Sequence, residues 1–367
     1  MITLVVLNRI ETGGQELTNG TRVRRWRLTI AVGAVAAVVL GLVVTGAAAA
    51  EPGQDSIESA QVWFDVVTSN HSGVPCATAP TERHVVVRGH LTGPSAKLHN
   101  GVDGTLYSHG DGYGEFFWRY TEDRRYNYVA DLADRGHVSV TIDRLGYGDS
   151  DSPNGRDICL GTEADVLHQV VGQLRDGTYH GDRTPSFHRV ALVGHSVSGI
   201  IGDQEAAGFH DIDALGVISS GEVDVTPLLA ERTGETQIRC LTAPNGYVAL
   251  EANAEEFRSD HIYNMDPKIA DQIIKKRTSD ACAGTANAGQ AVALDPVRNA
   301  AITVPVLLLI GTNDAFFQHG RLQAATYRGS GGVTFKEIPE TGHAIAFGRT
   351  APRFRDEMHR WLQVNRF

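Results

Sequence analysis

The stretch Gly194-His195-Ser196-Val197-Ser198-Gly199 decides how this chain is read. Before it runs Arg189-Val190-Ala191-Leu192-Val193, apolar and short enough for a buried strand. After it a helical pattern continues to about Gly208. A serine on so sharp a strand-to-helix turn takes strained backbone angles, and small neighbours are needed because a larger side chain two positions away would clash. The helix starting just beyond it turns backbone N–H groups and a partial positive charge toward the hydroxyl.

The same alternation extends outward in both directions. Residues 61–68 and 84–91 are β-rich runs separated by a turn-rich stretch, and read as an antiparallel pair. Residues 105–108 form a short strand that ends in His109-Gly110-Asp111-Gly112-Tyr113-Gly114. A helix is expected over 116–134, stopping at Gly136, then a strand over 137–142 and a helix over 165–174 with Val166, Leu167, Val170, Val171 and Leu174 on one face. Beyond the serine come strands at 215–219, 304–310 and 333–338, a helix near 318–327 and a last helix near 353–362. Strands alternating with helices imply right-handed crossovers and a mostly parallel sheet flanked by helices, an α/β fold. Residues 222–301 break the rhythm. An interruption of about 80 residues far exceeds the usual connection of roughly 4–6, so it reads as an inserted helical subdomain between core segments 51–221 and 302–367.

Two strand ends carry further chemistry. The strand at 304–310 ends in Gly311-Thr312-Asn313-Asp314, and the next runs into Pro339-Glu340-Thr341-Gly342-His343. A serine hydroxyl is a poor nucleophile until an imidazole takes its proton, and a carboxylate fixes that imidazole's tautomer and stabilises its charged form. Glu222 and Asp224, after the strand at 215–219, are alternative acids; Asp314 is preferred because it follows the strand nearest His343 in sequence. A phosphate-cradling reading of the glycines at 110–114 or 146–148 fails, since neither stretch has the third glycine in place.

With the serine turn, the acid and the histidine in this order, the chain resembles the α/β-hydrolase superfamily over about residues 61 to 364. The resemblance implies a Ser196–His343–Asp314 triad, with oxyanion donors at the backbone N–H of Val197 and of Asp111, or next Gly112, in the H-G segment. Ser198 stands where the family's motif closes with glycine. Asp143-Arg144-Leu145-Gly146-Tyr147-Gly148-Asp149-Ser150 is similar to a family turn, in which Asp143 and Arg144 are structural supports; His195 and His109 are expected to support the loops that hold them. The insertion falls where the family carries a lid, between its sixth and seventh strands. Tyr247, Phe257, Tyr263 and Met265 are candidates for its apolar wall or for its own core. No metal or organic cofactor is implied.

Composition narrows the setting. Of 367 residues 42% are apolar and 21% charged, which excludes disorder and a polytopic membrane protein. Thirty-three basic against 43 acidic side chains, a net charge of −10, argue against nucleic acid as a partner. Arg22-Val23-Arg24-Arg25-Trp26-Arg27 and the apolar run ending in four alanines at Ala50 read as a signal peptide, with a retained anchor as the alternative and Arg24-Arg25 admitting twin-arginine export. Removing residues 1–50 takes away five Arg and two Glu and leaves a charge of about −13. In an oxidising compartment Cys76, Cys159, Cys240 and Cys282 suggest two disulfides in one of three connectivities, and none lies at metal-ligand spacing. Cys240–Cys282 is expected inside the insertion, where a small core benefits most from a staple, leaving Cys76–Cys159.

The expectation is therefore a secreted serine hydrolase acting on a small-molecule carboxylic ester or lactone, free of the membrane once the leader is cleaved. The lid and export also resemble secreted lactonases of bulky apolar rings, of the zearalenone type. An aminopeptidase-type amide hydrolase is the alternative within the fold, and a catalytically silent binding protein the alternative outside enzymes. The oligomeric state and the size of the acyl group are open.

Overall fold

The computed structural model describes residues 56–223, 225–318 and 320–367; the expected leader (1–50) and the alternative acid Asp224 lie outside the described residues. Its strands are β1 (Ile57–Val67), β2 (His84–Pro94), β3 (Val102–Ser108), β4 (Ser139–Ile142), β5 (His180–Gly181), β6 (Phe187–His195), β7 (Ala214–Ile218), β8 (Tyr247–Val248), β9 (Asp280–Ala281), β10 (Val306–Gly311) and β11 (Val333–Ile338). The helices are α1 (Tyr128–Asp134), α2 (Leu160–Asp176), α3 (Val197–Phe209), α4 (Pro227–Cys240), α5 (Ala254–His261), α6 (Pro267–Lys276), α7 (Cys282–Arg298), α8 (Gly320–Ala324) and α9 (Ala351–Val364).

Nine strands form one sheet in the order β11-β10-β7-β6-β3-β4-β2-β1-β5. From β11 to β4 all pairings are parallel, and β2, β1 and β5 extend the sheet antiparallel. Burial follows from this topology. The parallel strands β4, β7 and β10 are buried along their whole length, as helices on both faces require, and so read as unbroken apolar runs. Strand β1 instead alternates exposed and buried residues because only one of its faces meets the core. In β10 the alternation divides the two cores: Val306, Leu308 and Ile310 pack with α2 and α3 on one face, and Leu307 and Leu309 with α9 and the aromatic loop on the other.

Two expected helices are shorter than their patterns suggest. Over 116–134 only α1 is α-helical, preceded by 3-10 turns at Glu115–Phe117 and Arg124–Tyr126. Two side-chain caps interrupt the run: Asp123 accepts from the Arg125 amide, and Asn127 from the Ala130 amide. The aromatics that mimicked a helical stripe pack one by one, Phe117 and Tyr120 against Phe347, and Trp118 against Tyr107 and Tyr128. Near 318–327 the helix is only α8, five residues.

Between β7 and β10 the chain forms α4, α5, α6 and α7 and a small antiparallel pair, β8 with β9. Local signals start three of these helices. Thr226 and Asp266 cap α4 and α6, each followed by proline at the first turn, and Asn253 caps α5. Among the described residues no helix is long and apolar enough to cross a membrane.

The four cysteines lie in two pairs. Cys240, ending α4, meets Cys282, opening α7, with Cα atoms 5.6 Å apart; Cys76 meets Cys159 at 5.7 Å. Peptide mapping under non-reducing conditions is expected to return these two links and no fragment joining Cys76 to Cys240 or Cys282. Removing the Cys240–Cys282 bridge, which closes a 42-residue separation, is expected to cost up to about 4 kcal/mol of stability. Unchanged denaturant midpoints in the double alanine variant would contradict a stapling role.

Candidate active site

Three parallel strands deliver three side chains to one edge of the sheet. Ser196 follows β6 directly, Asp314 lies three residues beyond β10, and His343 five beyond β11. All sit at the carboxyl ends of the strands, where α/β sheets place their sites. The Ser196 Oγ is 3.0 Å from His343 Nε2, and His343 Nδ1 is 3.0 Å and 3.1 Å from the two Asp314 carboxylate oxygens. Asp314 Oδ1 also accepts from the Phe316 and Phe317 amides, which hold the carboxylate in place. The imidazole therefore donates from Nδ1 and has Nε2 free to receive the serine proton. Histidine and aspartate are almost wholly buried; the serine is 9% exposed and reaches the cavity.

The turn that carries Ser196 explains its neighbours. The serine has φ 55° and ψ −128°, a sparsely populated conformation for a residue with a side chain. A Cβ on Gly194 would lie 1.9 Å from the Ser198 carbonyl oxygen, so only glycine fits there. Ser198, in the place of the motif's closing glycine, is accommodated because its hydroxyl donates to the His109 carbonyl at 2.5 Å and lies 2.9 Å from Ser108 Oγ. It ties the serine turn to the loop after β3.

That loop is held by histidine and arginine. His109 Nε2 accepts from the Arg144 amide, so Nδ1 carries the hydrogen and donates to the Gly110 carbonyl. Burial, with the Arg144 charge beside it, pushes the His109 pKa down to about 3 and keeps the ring neutral. His195, driven well below its ordinary value by burial and by His343, is 3.0 Å from the His343 carbonyl oxygen through Nε2. Arg144 pairs with Glu163 through two nitrogens and with Asp111 at 3.1 Å, while Asp143 accepts from the Glu115 and Asp149 amides.

The expected oxyanion donors divide. Among the described residues, the Val197 and Asp111 amides meet no acceptor. Gly112 is corrected: its N–H donates to Asp280 Oδ1 at 2.7 Å and is not free for a ligand. The alternative acid Glu222 points elsewhere, its carboxylate held by Gln323 and Asn299 in a buried cluster with Asp203.

A cavity of about 350 Å³ opens over Ser196. The four residues offered from sequence as candidates for the wall or for a core are not among its lining residues. Phe257 stacks on His261, Tyr247 donates to the Pro153 carbonyl, Met265 bridges to Gly348 and Tyr263 is exposed. The wall comes instead from small and aliphatic residues of α4 and α7, among them Leu229, Ala230, Gly234, Ala288 and Val292.

Sequence reasoning missed two groups beside the serine. His261 is bonded to Tyr113 OH at 2.9 Å and to Glu251 at 2.7 Å, and its ring lies 5.0 Å from that of His343. Burial alone would raise the Glu251 carboxyl, but His261 holds it below its ordinary range. Asp280 accepts from the Gly112 and Leu250 amides and contacts Tyr147 OH, which also contacts Asp111. Tyr147 has one hydrogen for these two carboxyls. Burial, then the Asp111 charge, pushes the Asp280 carboxyl well above its ordinary value, and the proton it keeps satisfies the second contact. No motif or spacing marks these residues; only the folded insertion brings them to the site.

The sequence profile of the alpha/beta hydrolase family matches residues 106–356, and the chain belongs to that family. No curated protein sequence matches it. Among solved structures it is similar to a thermophilic esterase from Thermogutta terrifontis in a malate-bound form, at 19% identity and a TM-score of 0.57, covering 82% of this chain and 98% of that one. A hydrolase from Pseudomonas aeruginosa shares 17% identity at 0.55, over 80% and 98%. A monoacylglycerol lipase from Paleococcus ferrophilus shares 15% at 0.52, over 72% and 97%. At these identities the likeness is one of fold.

The Asp280 contacts make a prediction about ester turnover. Asp280→Ala leaves the Gly112 and Leu250 amides without an acceptor and is expected to lower kcat on p-nitrophenyl acetate by roughly 10- to 100-fold with little change in KM. Asp280→Asn keeps an acceptor oxygen for only one of the two amides and is expected to recover part of that loss. An asparagine variant as impaired as alanine would contradict the assignment.

Proposed function

We propose that this alpha/beta hydrolase is a secreted serine hydrolase that cleaves carboxylic esters or lactones through an acyl-enzyme. The observation that carries the reading is the Ser196–His343–Asp314 chain of 3.0 Å contacts at the mouth of an apolar cavity. Ser196 Oγ attacks the carbonyl carbon as its proton passes to His343 Nε2, and Asp314 steadies the imidazolium. The amides of Val197 and Asp111 receive the oxyanion, and Val197 adds the partial positive charge of the α3 N-terminus. Collapse of the tetrahedral intermediate breaks the ester C–O bond, and His343 returns the proton to the leaving alcohol. Water, deprotonated by the same imidazole, then attacks the acyl-serine and frees the acid.

The segment between β7 and β10 acts as a lid. Helices α4 and α7 form the apolar wall over the serine, exclude water and receive the acyl group. Secretion agrees with the leader pattern and with cysteines placed for two disulfides. A second reading, release of an N-terminal residue from a peptide, draws on Asp111 and Glu163 in the cavity wall. These two carboxylates face one guanidinium, Arg144, and leave a negative charge for a substrate ammonium.

A panel of p-nitrophenyl esters, lactones and aminoacyl anilides on the purified protein tests the function. Turnover of esters or lactones is expected; anilides alone would move the assignment to the second reading, and no turnover with any class would overturn it. Asp314→Asn is expected to slow ester turnover by about 10^3- to 10^4-fold and Glu222→Gln to leave it nearly unchanged. The reverse order would place the acid after β7.

Gly234 gives a test of the wall. It lies inside α4, lines the cavity, and a Cβ there meets nothing within 4 Å. Gly234→Leu removes a helix-interior glycine, which disfavours helix by roughly 0.5–1 kcal/mol, so thermal stability is expected to hold or rise. The new side chain fills acyl space, and kcat/KM for p-nitrophenyl octanoate is expected to fall about tenfold relative to acetate. An unchanged ratio would remove α4 from the acyl wall.

A further inference from the structure

At the far end of the helix that begins beside Ser196, three groups converge with no part in the chemistry above. His168 comes from α2, Glu205 from the penultimate turn of α3, and Asp211 from the loop between α3 and β7. One ligand atom of each lies within 4.8 Å of the others. His168 Nδ1 and Asp211 Oδ2 are 2.6 Å apart. Glu205 is fully buried, and neither of its carboxylate oxygens has a hydrogen-bond partner; Asp211 Oδ1 also has none. An unpartnered buried carboxylate is costly, and native proteins satisfy such groups with a donor, a proton or a cation.

We propose that His168, Glu205 and Asp211 form a binding site for a divalent transition metal of the zinc class. The donor set, one imidazole nitrogen and two carboxylates, suits Zn²⁺ better than Ca²⁺, which takes six to eight oxygens, or Mg²⁺, which keeps most of its waters. The position favours a cation for a second reason. Glu205 lies in the last turns of α3, whose unpaired carbonyl groups place partial negative charge at that end. The ring of Phe209 stacks on His168 at 4.0 Å and 5°, which fixes the imidazole's orientation. A surface pocket of about 400 Å³, lined in part by His168 and Phe209, lies beside the cluster. The guanidinium of Arg175, which bonds the Asp211 backbone, is already used: it donates to the Asp211 and His188 carbonyl oxygens and to the Asp213 carboxylate.

Glu205 is nine residues along α3 from Ser196, about 14 Å at 1.5 Å per residue, so the ion does not reach the serine. It links α2 to α3 and stabilises the support of the serine helix. The competing account of the same oxygens is a proton permanently shared between Glu205 and Asp211, with no metal.

Tag-free full-length protein, stripped with a chelator and dialysed, separates these accounts. Equilibrium dialysis against ZnCl2 is expected to give one saturable zinc per chain, and the thermal midpoint to rise by about 4 °C at 100 times the dissociation constant. Glu205→Gln and the half-exposed His168→Ala are each expected to abolish both effects while keeping their ester turnover. If Glu205→Gln does not fold, His168→Ala still decides the matter. Absence of saturable zinc in the wild type, or zinc retained in His168→Ala, would overturn the site. Saturable calcium binding indifferent to His168 would overturn the zinc-class assignment.

Discussion

The whole arrangement depends on one strained residue. Ser196 sits at φ 55° between the last residue of β6 and the first of α3, in a conformation that costs on the order of 1–3 kcal/mol and persists only where the surroundings over-determine it. Its amide donates to the Ile218 carbonyl at the end of β7, and its carbonyl accepts from the Gly199 amide, so both sides of the turn are pinned. Close approach does the rest. A Cβ on Gly110 would lie 2.7 Å from Ser196 Cβ, and one on Gly199 would lie 2.5 Å from Ser220. Glycine at these positions lets the loop after β3 and the end of β7 press against the turn, holding the hydroxyl where the buried imidazole meets it.

Around that turn, buried polar groups connect parts of the chain far apart in sequence. Arg144 reaches Glu163 on α2 and both His109 and Asp111 on the loop after β3. Asp280, from the segment between β7 and β10, holds Gly112 of that same loop. Cys282 lies two residues beyond Asp280 and bonds to Cys240 at the end of α4, so the wall of the cavity and the loop beneath it are mechanically joined. The histidines outside the central chain, His109 and His195, are kept neutral by burial and serve as fixed hydrogen-bonding parts. Several charges here are buried, yet nearly all have partners, the condition under which such networks rigidify a site instead of weakening it.

Much of this was legible in the sequence because the signals were local. Short strand-length runs, each with a glycine in the turn that follows, located β3, β6, β10 and β11, and a strand end fixes where the next few residues lie in an α/β sheet. That is enough to place Ser196, Asp314 and His343 on one edge. The helix expected over 116–134 failed because Asp123 and Asn127 cap new turns inside an aromatic run whose spacing imitates a helix. Of the two roles open to Phe257 and Met265, they take that of core, packed with the aromatics of the loop after β3, and leave the cavity to smaller side chains of α4 and α7. Gly112 failed because a carboxylate 168 positions later takes its amide. The His168, Glu205 and Asp211 cluster has no sequence signature either: a helix, a second helix and a loop supply one donor each.

The central claim is that Ser196 is an activated nucleophile, and covalent labelling tests it most directly. A fluorophosphonate probe reacts only with a serine whose proton is drawn off by a neighbouring base, and the adduct is read by intact mass and peptide mapping. The account predicts stoichiometric labelling on the peptide containing Ser196, lost in Ser196→Ala and slowed in His343→Ala. Labelling that persists undiminished in Ser196→Ala, or a wild-type protein that does not react at all, would contradict it.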